Sequence, residues 1–425
     1  MKNTKNVIGF KKKIFIIWVM VSVFIHSIFD MIKGKIKPSN LIRYLKRQEG
    51  FIKMVSDNKF VKIDGKTRMD LYVPGFPSKA FYNACMKFNE FDDKLPCKTV
   101  LISVTSACKY NCEHCYQKYD KGKDVNIDCL KKVVKHLSDI GIAFFNIEGG
   151  EPFLVYDRLR AVCEQVEDSA EIWINSTGEG MTLDRLKELK KLNVTAVMFS
   201  LHSSDKETFN HFFGNAGAWD TMKNGVSLCH QAGIAVAFNA CLQKEDFDNG
   251  NYEAIMDLAK DLKGSIIQLI KPKPAGGWLE KGVKSITHKD IEHIKSKVNK
   301  YNLDKKYKEY PSISSQIIEE DENHFGCTAG GTDRFYINAK GDLQPCEFLN
   351  ISFGNVEKEN FEDIYKKMRE VFKSPGTCWL CEAYSKDIYK IKEENNLVTL
   401  PLDKELSKQV YENWDRGETT KFYRD

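Results

Sequence analysis

The chain has 425 residues, of which 42% are hydrophobic and 29% are charged, and its formal net charge is +5. This composition is typical of a soluble globular protein and excludes a disordered, collagen-like or polytopic membrane protein. The positive charge is concentrated in residues 1–49, which hold eleven lysines and arginines against two acids, and since the remainder is slightly acidic we expect no nucleic-acid partner. The thirteen cysteines are an odd number in a large chain, which favours thiolate or metal chemistry in a reducing compartment over a disulfide framework.

An apolar segment near the N-terminus predicts a single helix. The segment from Ile14 to Phe29 carries no formal charge, and lysines lie on both sides of it. Its sixteen residues would form a helix roughly 24 Å long, somewhat short of the ~30 Å hydrocarbon thickness. We therefore expect residues 1–33 to be a basic-flanked membrane-anchor or interfacial helix. A signal peptide, which lacks a convincing cleavage site here, and a buried or dimer-forming helix of a soluble protein are the alternatives.

Residues 34–98 are expected to form an N-terminal extension. The segment FVKIDGKTRMDLYV within it predicts a hairpin that turns at Asp64-Gly65. An amphipathic helix is expected around Ala80 to Phe88. These patterns indicate structure but no activity.

From Thr99 onward, short apolar and β-branched runs alternate with amphipathic helical stretches. Six such units in a row predict an α/β fold in which a parallel sheet with right-handed crossovers forms an open or partial barrel, over residues 99–310. Functional groups should then lie at the C-terminal ends of the strands. The predicted strands are 99–104, 143–148, 171–176, 196–201, 234–240 and 265–270.

The segment ACKYNCEHCYQ follows the first predicted strand directly. It places Cys108, Cys112 and Cys115 in a Cys-x3-Cys-x2-Cys spacing. Three soft thiolates in one short loop can bind three irons of a cubane cluster and leave the fourth iron open as a reaction site. A closed zinc site needs four ligands, and His114 is too close in sequence to Cys115 to complete one comfortably, so zinc is the minor alternative.

The second predicted strand ends in the segment EGGEPF, which contains Gly149, Gly150, Glu151 and Pro152. Two glycines let the backbone approach a ligand closely, and a carboxylate can accept hydrogen bonds from an amine. In isolation this motif is more often a plain glycine turn. Its position one βα unit after the cysteine loop favours a binding role.

Together, the cysteine loop, the aromatic-type His114 before the third cysteine and the GGEP motif resemble the radical S-adenosylmethionine (radical SAM) superfamily, over about residues 99–275. The resemblance implies a partial (β/α)6 TIM-type barrel with a 4Fe-4S cluster on the three cysteines. The methionyl group of SAM would chelate the open iron. One electron from the reduced cluster would then cleave SAM, and the resulting 5′-deoxyadenosyl radical would abstract hydrogen from a substrate. The residues implied to line the SAM site in this motif are Gly149, Gly150, Glu151 and Pro152.

Two later strand ends resemble further SAM contacts of the family. Asn175 in INSTG and Ser200 in FSLH stand where the family often has polar strand ends, although ordinary capping is an equal alternative for both. The segment KETFNHFFG resembles a family segment that often carries arginine before the glycine. Here Phe213 precedes Gly214, so the residue type for the usual guanidinium contact is missing at this position.

A second set of cysteines lies in a predicted small α+β domain, residues 311–390, which precedes a charged tail over 391–425. Its Gly-x4-Cys and Cys-x2-Cys segments resemble the SPASM and twitch auxiliary-cluster domains of radical SAM enzymes. A full SPASM domain uses seven cysteines for two clusters, so the four here imply one auxiliary 4Fe-4S cluster, with structural zinc as the main alternative. The implied ligands are Cys327, Cys346, Cys378 and Cys381.

The resemblance implies a radical SAM oxidoreductase or transferase that works with a low-potential electron donor such as flavodoxin or ferredoxin. Because the basic, apolar N-terminus favours a membrane surface, we expect a membrane lipid or isoprenoid substrate. We expect the enzyme at the cytoplasmic face of the cell membrane, with a cytoplasmic location as the alternative. A membrane-tethered maturase of a ribosomally made peptide is the second hypothesis. A non-catalytic iron-sulfur or zinc scaffold is the hypothesis of a different class.

Overall fold

Two β-sheets organise the chain in a computed structural model that describes residues 4–89, 98–284 and 286–424. The first sheet has three strands and belongs to an N-terminal module. The predicted hairpin is present in it, and both turn residues, Asp64 and Gly65, have positive φ angles. The elements of the module are β1 (Thr4–Val7), α1 (Gly9–Ile32), α2 (Leu41–Met54), β2 (Phe60–Ile63), β3 (Lys66–Arg68) and α3 (Lys79–Cys85).

The second sheet has nine strands, and the six predicted strands lie side by side in its middle. All six are parallel and alternate with helices. Their near-continuous apolar runs are expected of strands that are covered on both faces. The predicted α/β fold with a partial barrel is therefore confirmed. These elements are β4 (Thr99–Ser103), α4 (Ile127–Asp139), β5 (Phe144–Glu148), α5 (Tyr156–Cys163), β6 (Glu171–Ser176), α6 (Leu183–Lys191), β7 (Val194–Ser200), α7 (Lys206–Phe213), α8 (Ala218–Ala232), β8 (Ala235–Cys241), α9 (Asn251–Asp261) and β9 (Ile266–Ile270).

Three further strands extend this sheet beyond the six that were predicted. β10 (Ser312–Ser315) pairs in parallel with β9, while β11 (Arg334–Ile337) pairs in parallel with β4 and in an antiparallel manner with β12 (Leu343–Gln344). The hairpin of β11 and β12, within the predicted C-terminal domain, thus adds to the barrel sheet, where it covers the otherwise unpaired edge of β4. The remaining helices are α10 (His288–Leu303), α11 (Gln316–Glu319), α12 (Phe361–Val371), α13 (Leu380–Ala383), α14 (Ser385–Glu394) and α15 (Lys404–Tyr411).

The N-terminal module closes the barrel at the N-terminal ends of its strands. Val61, Ile63 and Leu71 of the module pack against inward-facing barrel residues that include Phe144 and Trp173. The sequence patterns gave this extension no role, and the structure shows that it is a plug.

Arg68 anchors this plug through a buried charge. Its guanidinium pairs with Glu171 at the start of β6 and lies 4.7 Å from the centre of the Trp173 ring. It also donates hydrogen bonds to the carbonyls of Leu71 (2.9 Å) and Val73 (2.7 Å). Two carbonyls, a carboxylate and an aromatic face thus compensate much of the cost of burying this cation.

Helix α1 lies on the outside of the plug. Phe15, Val19 and Val23 are buried on one of its faces. α1 is long and apolar enough to cross a membrane, and it is the one helix with that length and composition in the described part of the chain.

Candidate active site

A cavity that is open to solvent lies at the C-terminal ends of the barrel strands. The inward-facing positions change along each strand from apolar residues beside the plug to polar residues at the cavity. This is the end of a parallel barrel at which enzymes of this architecture place their reactive groups. The polar strand residues that line the cavity are Asn146, Glu148, Asn175, Ser176, Ser200, Asn239 and Gln268.

The loop that carries the three predicted cluster cysteines lies beside this cavity, and three other segments hold its backbone. These segments are the GGEP turn, the end of α7 and the glycine pair of the segment KPKPAGGW after β9. The bonds run from Gly150 N to Thr105 O (2.7 Å), from Asn111 N to Phe213 O (3.1 Å) and from Gly277 N to Cys115 O (3.0 Å).

Glycines at two of these contacts let the backbones touch. A Cβ atom on Gly150 would lie 2.1 Å from the carbonyl oxygen of Ala107, and one on Gly276 would lie 2.2 Å from that of Cys115. Both distances are far inside van der Waals contact, so neither position can hold a side chain. The GGEP turn was found from its sequence, whereas the glycine pair after β9 was missed although it follows a predicted strand directly.

The donor set of the loop fits an iron-sulfur cluster. Burial, followed by the neighbouring thiolates of Cys115 and Cys108, raises the pKa of Cys112, so the three sulfurs lie within electrostatic reach of one another. No group of three or more His, Cys, Asp or Glu side chains within the described ranges is compact enough to hold a single metal ion. A cubane is larger than one ion, and its irons displace the thiol protons on binding. Cys108, Cys112 and Cys115 stay its predicted ligands.

The residues predicted to contact SAM fall into two groups. Gly149, Gly150, Asn175 and Ser200 line the cavity. Glu151 and Pro152 are buried beside it and do not line it.

Glu151 is fully buried, and its carboxylate is used within the protein. It accepts hydrogen bonds from Phe153 N (3.0 Å), Ser176 Oγ (2.9 Å), Thr177 N (2.7 Å) and Thr177 Oγ1 (2.6 Å). A carboxylate offers about four lone-pair sites, and four donors fill them. These bonds fix the GGEP turn against the end of β6, and a role of Glu151 at the SAM site stays a prediction.

Glu148, two residues before Gly150, has a carboxyl that faces the cavity, as does Glu347. It accepts hydrogen bonds from Tyr116 Oη (2.8 Å), Asn175 Nδ2 (2.9 Å) and Asn146 Nδ2 (3.2 Å). Burial, with a further contribution from the charge of Glu347, raises the pKa of Glu148 to about 8. Sequence reasoning missed it, although polar residues at alternate positions of the apolar strand FFNIE were the available signal.

Four side-chain amide oxygens on the cavity wall have no hydrogen-bond partner among the described residues. They belong to Asn146, Asn175, Gln268 and Gln316. The amide nitrogens of Asn146 and Asn175 donate to Glu148, and that of Gln316 donates to Glu320 (3.3 Å). Because carboxyl oxygens of Glu148 and Glu320 accept these bonds, the oxygens of Asn146, Asn175 and Gln316 are left as the free groups, while Gln268 Nε2 donates to Tyr72 Oη (3.2 Å). We call these four side chains the acceptor wall.

Two lysines lie on another side of the cavity, at the end of β9. The ammonium groups of Lys271 and Lys273 lie 2.7 and 3.1 Å from one carboxylate oxygen of Glu382. Both also lie over the Trp379 ring, at 4.3 and 3.0 Å from its centre. Two ammonium groups thus share one carboxylate, which leaves an excess of positive charge at this wall.

Those lysines connect the cavity to the second cysteine set. Burial raises the pKa of Cys378, and it raises that of Cys381 to about 12. The charge of Cys327 raises both further, and that of Cys381 does the same for Cys346. The four sulfurs are therefore brought together as expected of one auxiliary site, although their identity as cluster ligands stays a prediction.

Two family models match the chain: the radical SAM superfamily over residues 102–260 and an iron-sulfur cluster-binding domain, SPASM, over residues 327–383. The AdoMet-dependent heme synthase of Nitratidesulfovibrio vulgaris is 21% identical over 319 residues, which are 68% of this chain and 86% of that protein. The radical SAM cyclopropyl synthase TigE of Paramaledivibacter caminithermalis is 24% identical over 335 residues, 70% of this chain and 68% of that protein.

Among solved structures, SuiB of Streptococcus suis bound to the precursor peptide SuiA has a TM-score of 0.53 and 17% identity, over 64% of this chain and 65% of SuiB. The chain thus spans slightly less than two thirds of SuiB, and the likeness concerns the fold alone.

These matches cover the segments that hold the cysteine loop, the GGEP turn and the second cysteine set. A radical SAM domain implies a 4Fe-4S cluster and SAM as cofactors, a SPASM domain implies additional iron-sulfur clusters, and both depend on a reductant that supplies electrons. The chain belongs to the radical SAM superfamily, as an enzyme with a C-terminal SPASM domain.

Proposed function

We propose that this enzyme abstracts a hydrogen atom from a peptide that enters the cavity at the C-terminal ends of the barrel strands. When bound at the cysteine loop, the cluster and SAM would supply a 5′-deoxyadenosyl radical. The chain's own residues hold the loop, exclude bulk water and position the substrate.

The observation that carries this proposal is the acceptor wall. A buried carbonyl oxygen without a donor costs about 1–3 kcal/mol. Asn146, Gln268 and Gln316 are at most 5% exposed, so the protein itself supplies the burial. A ligand that brings N–H groups to these oxygens would recover the cost, and backbone and side-chain amides of a peptide are such donors.

The lysine pair favours a substrate that also carries acceptors. Lys271 and Lys273 outnumber the carboxylate that they share, so an acidic side chain or a carbonyl dipole would be attracted to them. A peptide offers donors and acceptors along the same chain. Donors and acceptors on different walls of one cavity match that pattern.

The same lining disfavours the membrane lipid or isoprenoid that the sequence first led us to expect. A hydrocarbon chain would leave the four amide oxygens without donors and the two ammonium groups without added acceptors. SuiB, which shares this fold, was solved with a precursor peptide. The heme synthase among the relatives shows that fold alone does not select the substrate, so the proposal rests on the cavity.

Hydrogen abstraction can be tested before the substrate is identified. Cells of the source organism would be grown in deuterated medium and separated into peptide, small-metabolite and lipid fractions. Each fraction would be incubated with reconstituted, full-length enzyme, SAM and a chemical reductant, and the 5′-deoxyadenosine formed would be analysed by mass spectrometry. We expect deuterium in 5′-deoxyadenosine with the peptide fraction, and its loss after protease treatment of that fraction.

The control is the Cys108→Ala, Cys112→Ala, Cys115→Ala variant, which should form no 5′-deoxyadenosine with any fraction. Deuterium transfer from the lipid fraction alone would overturn the proposal in favour of a lipid substrate. Transfer from the small-metabolite fraction alone would overturn the peptide and leave radical chemistry in place.

A further inference from the structure

Helix α1 is apolar on two opposite faces, and only one of them is covered by protein. On the covered face, Phe15, Val19 and Val23 are 7%, 0% and 4% exposed. Phe15 contacts the rings of Phe60 and Phe76 of the plug, at centroid distances of 5.8 and 5.7 Å. This face explains part of the hydrophobicity of the helix but not all of it.

The opposite face presents large apolar side chains that are each at least half exposed. They recur at intervals of three or four residues, which places them on one side of a helix. An exposed stripe of this length is far from the scattered apolar residues of an ordinary soluble surface. Its members are Phe10, Ile14, Ile17, Trp18, Val21, Phe24, Ile25, Phe29 and Ile32; we call them the outer face.

The covered face fixes α1 to the catalytic body along its length. Lys12 Nζ donates to the carbonyl of Asn58 at 2.7 Å and to that of Ser56. β1, directly before the helix, pairs with β2 of the plug. Toward its other end, the ring of His26 stacks on that of Tyr82 of α3, with 4.0 Å between the ring centres. A helix that crossed a bilayer would have to leave all these partners, so the observed packing is that of a helix beside a surface.

The charges around the outer face have one sign. Lys11 and Lys13 are exposed at the start of α1, and Lys33, Lys35 and Lys37 are exposed after its end. Asp30, the one acid in residues 1–48, is buried. Exposed lysines at both ends of an apolar stripe complement anionic headgroups above a hydrocarbon layer.

We propose that α1 lies in the plane of an anionic membrane surface, with the outer face inserted among the lipids and the covered face holding the barrel at the membrane. This docking surface is independent of the substrate in the cavity, so it would also hold for an enzyme that acts on a soluble peptide. In this arrangement both ends of α1 lie on the same side of the bilayer.

The first test uses vesicles of phosphatidylcholine and phosphatidylglycerol in equal amounts, with phosphatidylcholine vesicles for comparison. Full-length protein should sediment with the anionic vesicles, and more weakly with the neutral ones. The variant Ile17→Ser, Val21→Ser, Phe24→Ser should bind at least about tenfold more weakly, because it removes apolar area that would leave water. The matched control is Leu303→Ser, Val398→Ser, which alters exposed apolar residues elsewhere and should bind like the unaltered protein.

The second test asks on which side of the bilayer the N-terminus lies. A protease-cleavable tag before Met1 should be cut by protease added outside sealed vesicles, because an in-plane helix keeps both of its ends on the side of the barrel. Protection of the tag would show a spanning helix and overturn the proposal. Equal sedimentation of the α1 variant, absence of vesicle binding, or a lipid-independent dimer that the α1 variant abolishes would overturn it as well.

Discussion

Glu148 places a carboxyl at the cavity. The protonation state of this carboxyl determines whether the cavity presents a neutral or a negatively charged group to a ligand. Burial, and then the charge of Glu347, raises its pKa to about 8, so near neutral pH the carboxyl holds its proton. Raising the pH past this value would place a buried negative charge next to the predicted SAM site.

The raised pKa of Glu148 has a consequence for stability. In the unfolded chain the pKa of this carboxyl is near 4.5, so between about pH 4.5 and 8 the folded protein keeps a proton that the unfolded chain has lost. Glu148 therefore makes folding less favourable as the pH rises through this window. Glu148→Gln removes that contribution, and we expect its melting temperature, relative to the unaltered protein, to rise from pH 5 to pH 8.

Glu394→Gln is the control for this measurement, because its side chain is 60% exposed and should give a difference independent of pH. In infrared difference spectra, a carboxylic-acid C=O band that disappears between pH 6 and 9.5 should be present in the unaltered protein and absent in Glu148→Gln. A melting-temperature difference that is the same at pH 5 and pH 8 would contradict the assignment.

At the scale of elements, the barrel depends on the plug at its closed end, and Arg68 is the contact that tests this. Arg68→Ala would leave the carboxylate of Glu171 buried without its counter-charge, which costs about 3–5 kcal/mol. Lys190→Ala is the matched control, since it breaks a partly exposed pair with Asp64 of the same hairpin and should cost about 0–1 kcal/mol.

The melting temperature of Arg68→Ala should be clearly lower than that of Lys190→Ala. Hydrogen exchange should show that the loss of stability in Arg68→Ala lies in residues 60–73. Similar melting temperatures for both variants would show that the hairpin is a passive cover and does not stabilise the barrel.

The elements predicted from the sequence are those with a local signal. The six barrel strands were predicted to within two residues because each is a short, mostly apolar run, and the hairpin because Asp64-Gly65 favours a tight turn. β10 was missed since its sequence, Ser312 to Ser315, is mostly serine and becomes a strand only by pairing with β9. The plug could not be foreseen because its anchor joins Arg68 to Glu171, two residues far apart in the sequence.

The candidate site likewise has features that could be predicted from a short sequence segment and features that only the fold brings together. The cysteine spacing and the GGEP motif are short, and both could be found without a structure. The position of Glu151 was predicted, but its role depends on donors from Ser176 and Thr177, which only the fold brings to it. The acceptor wall joins residues from β5, β6, β9 and α11, so no single segment of the sequence displays it.

For the whole molecule, the two predicted cysteine sets lead to a prediction about metal content. Anaerobically reconstituted protein should bind about eight irons, four in each predicted cluster. The Cys108→Ala, Cys112→Ala, Cys115→Ala variant should keep about four irons, because the four cysteines of the second set lie on other segments of the chain. It should form no 5′-deoxyadenosine, because only the loop cluster leaves an iron open to SAM.

Analysis of iron, sulfide and zinc measures the metal content, and chromatography of 5′-deoxyadenosine measures SAM cleavage. The matched control is Cys163→Ala, Cys229→Ala, which removes two thiols that are at most 1% exposed and pack as small apolar groups in the core. That variant should keep about eight irons and full SAM cleavage even if its stability falls. SAM cleavage by the triple variant would refute the assignment of the loop. Zinc without sulfide in that variant, after strictly anaerobic preparation, would make the second set a closed structural site, and electrons would then reach the cavity through the loop cluster alone.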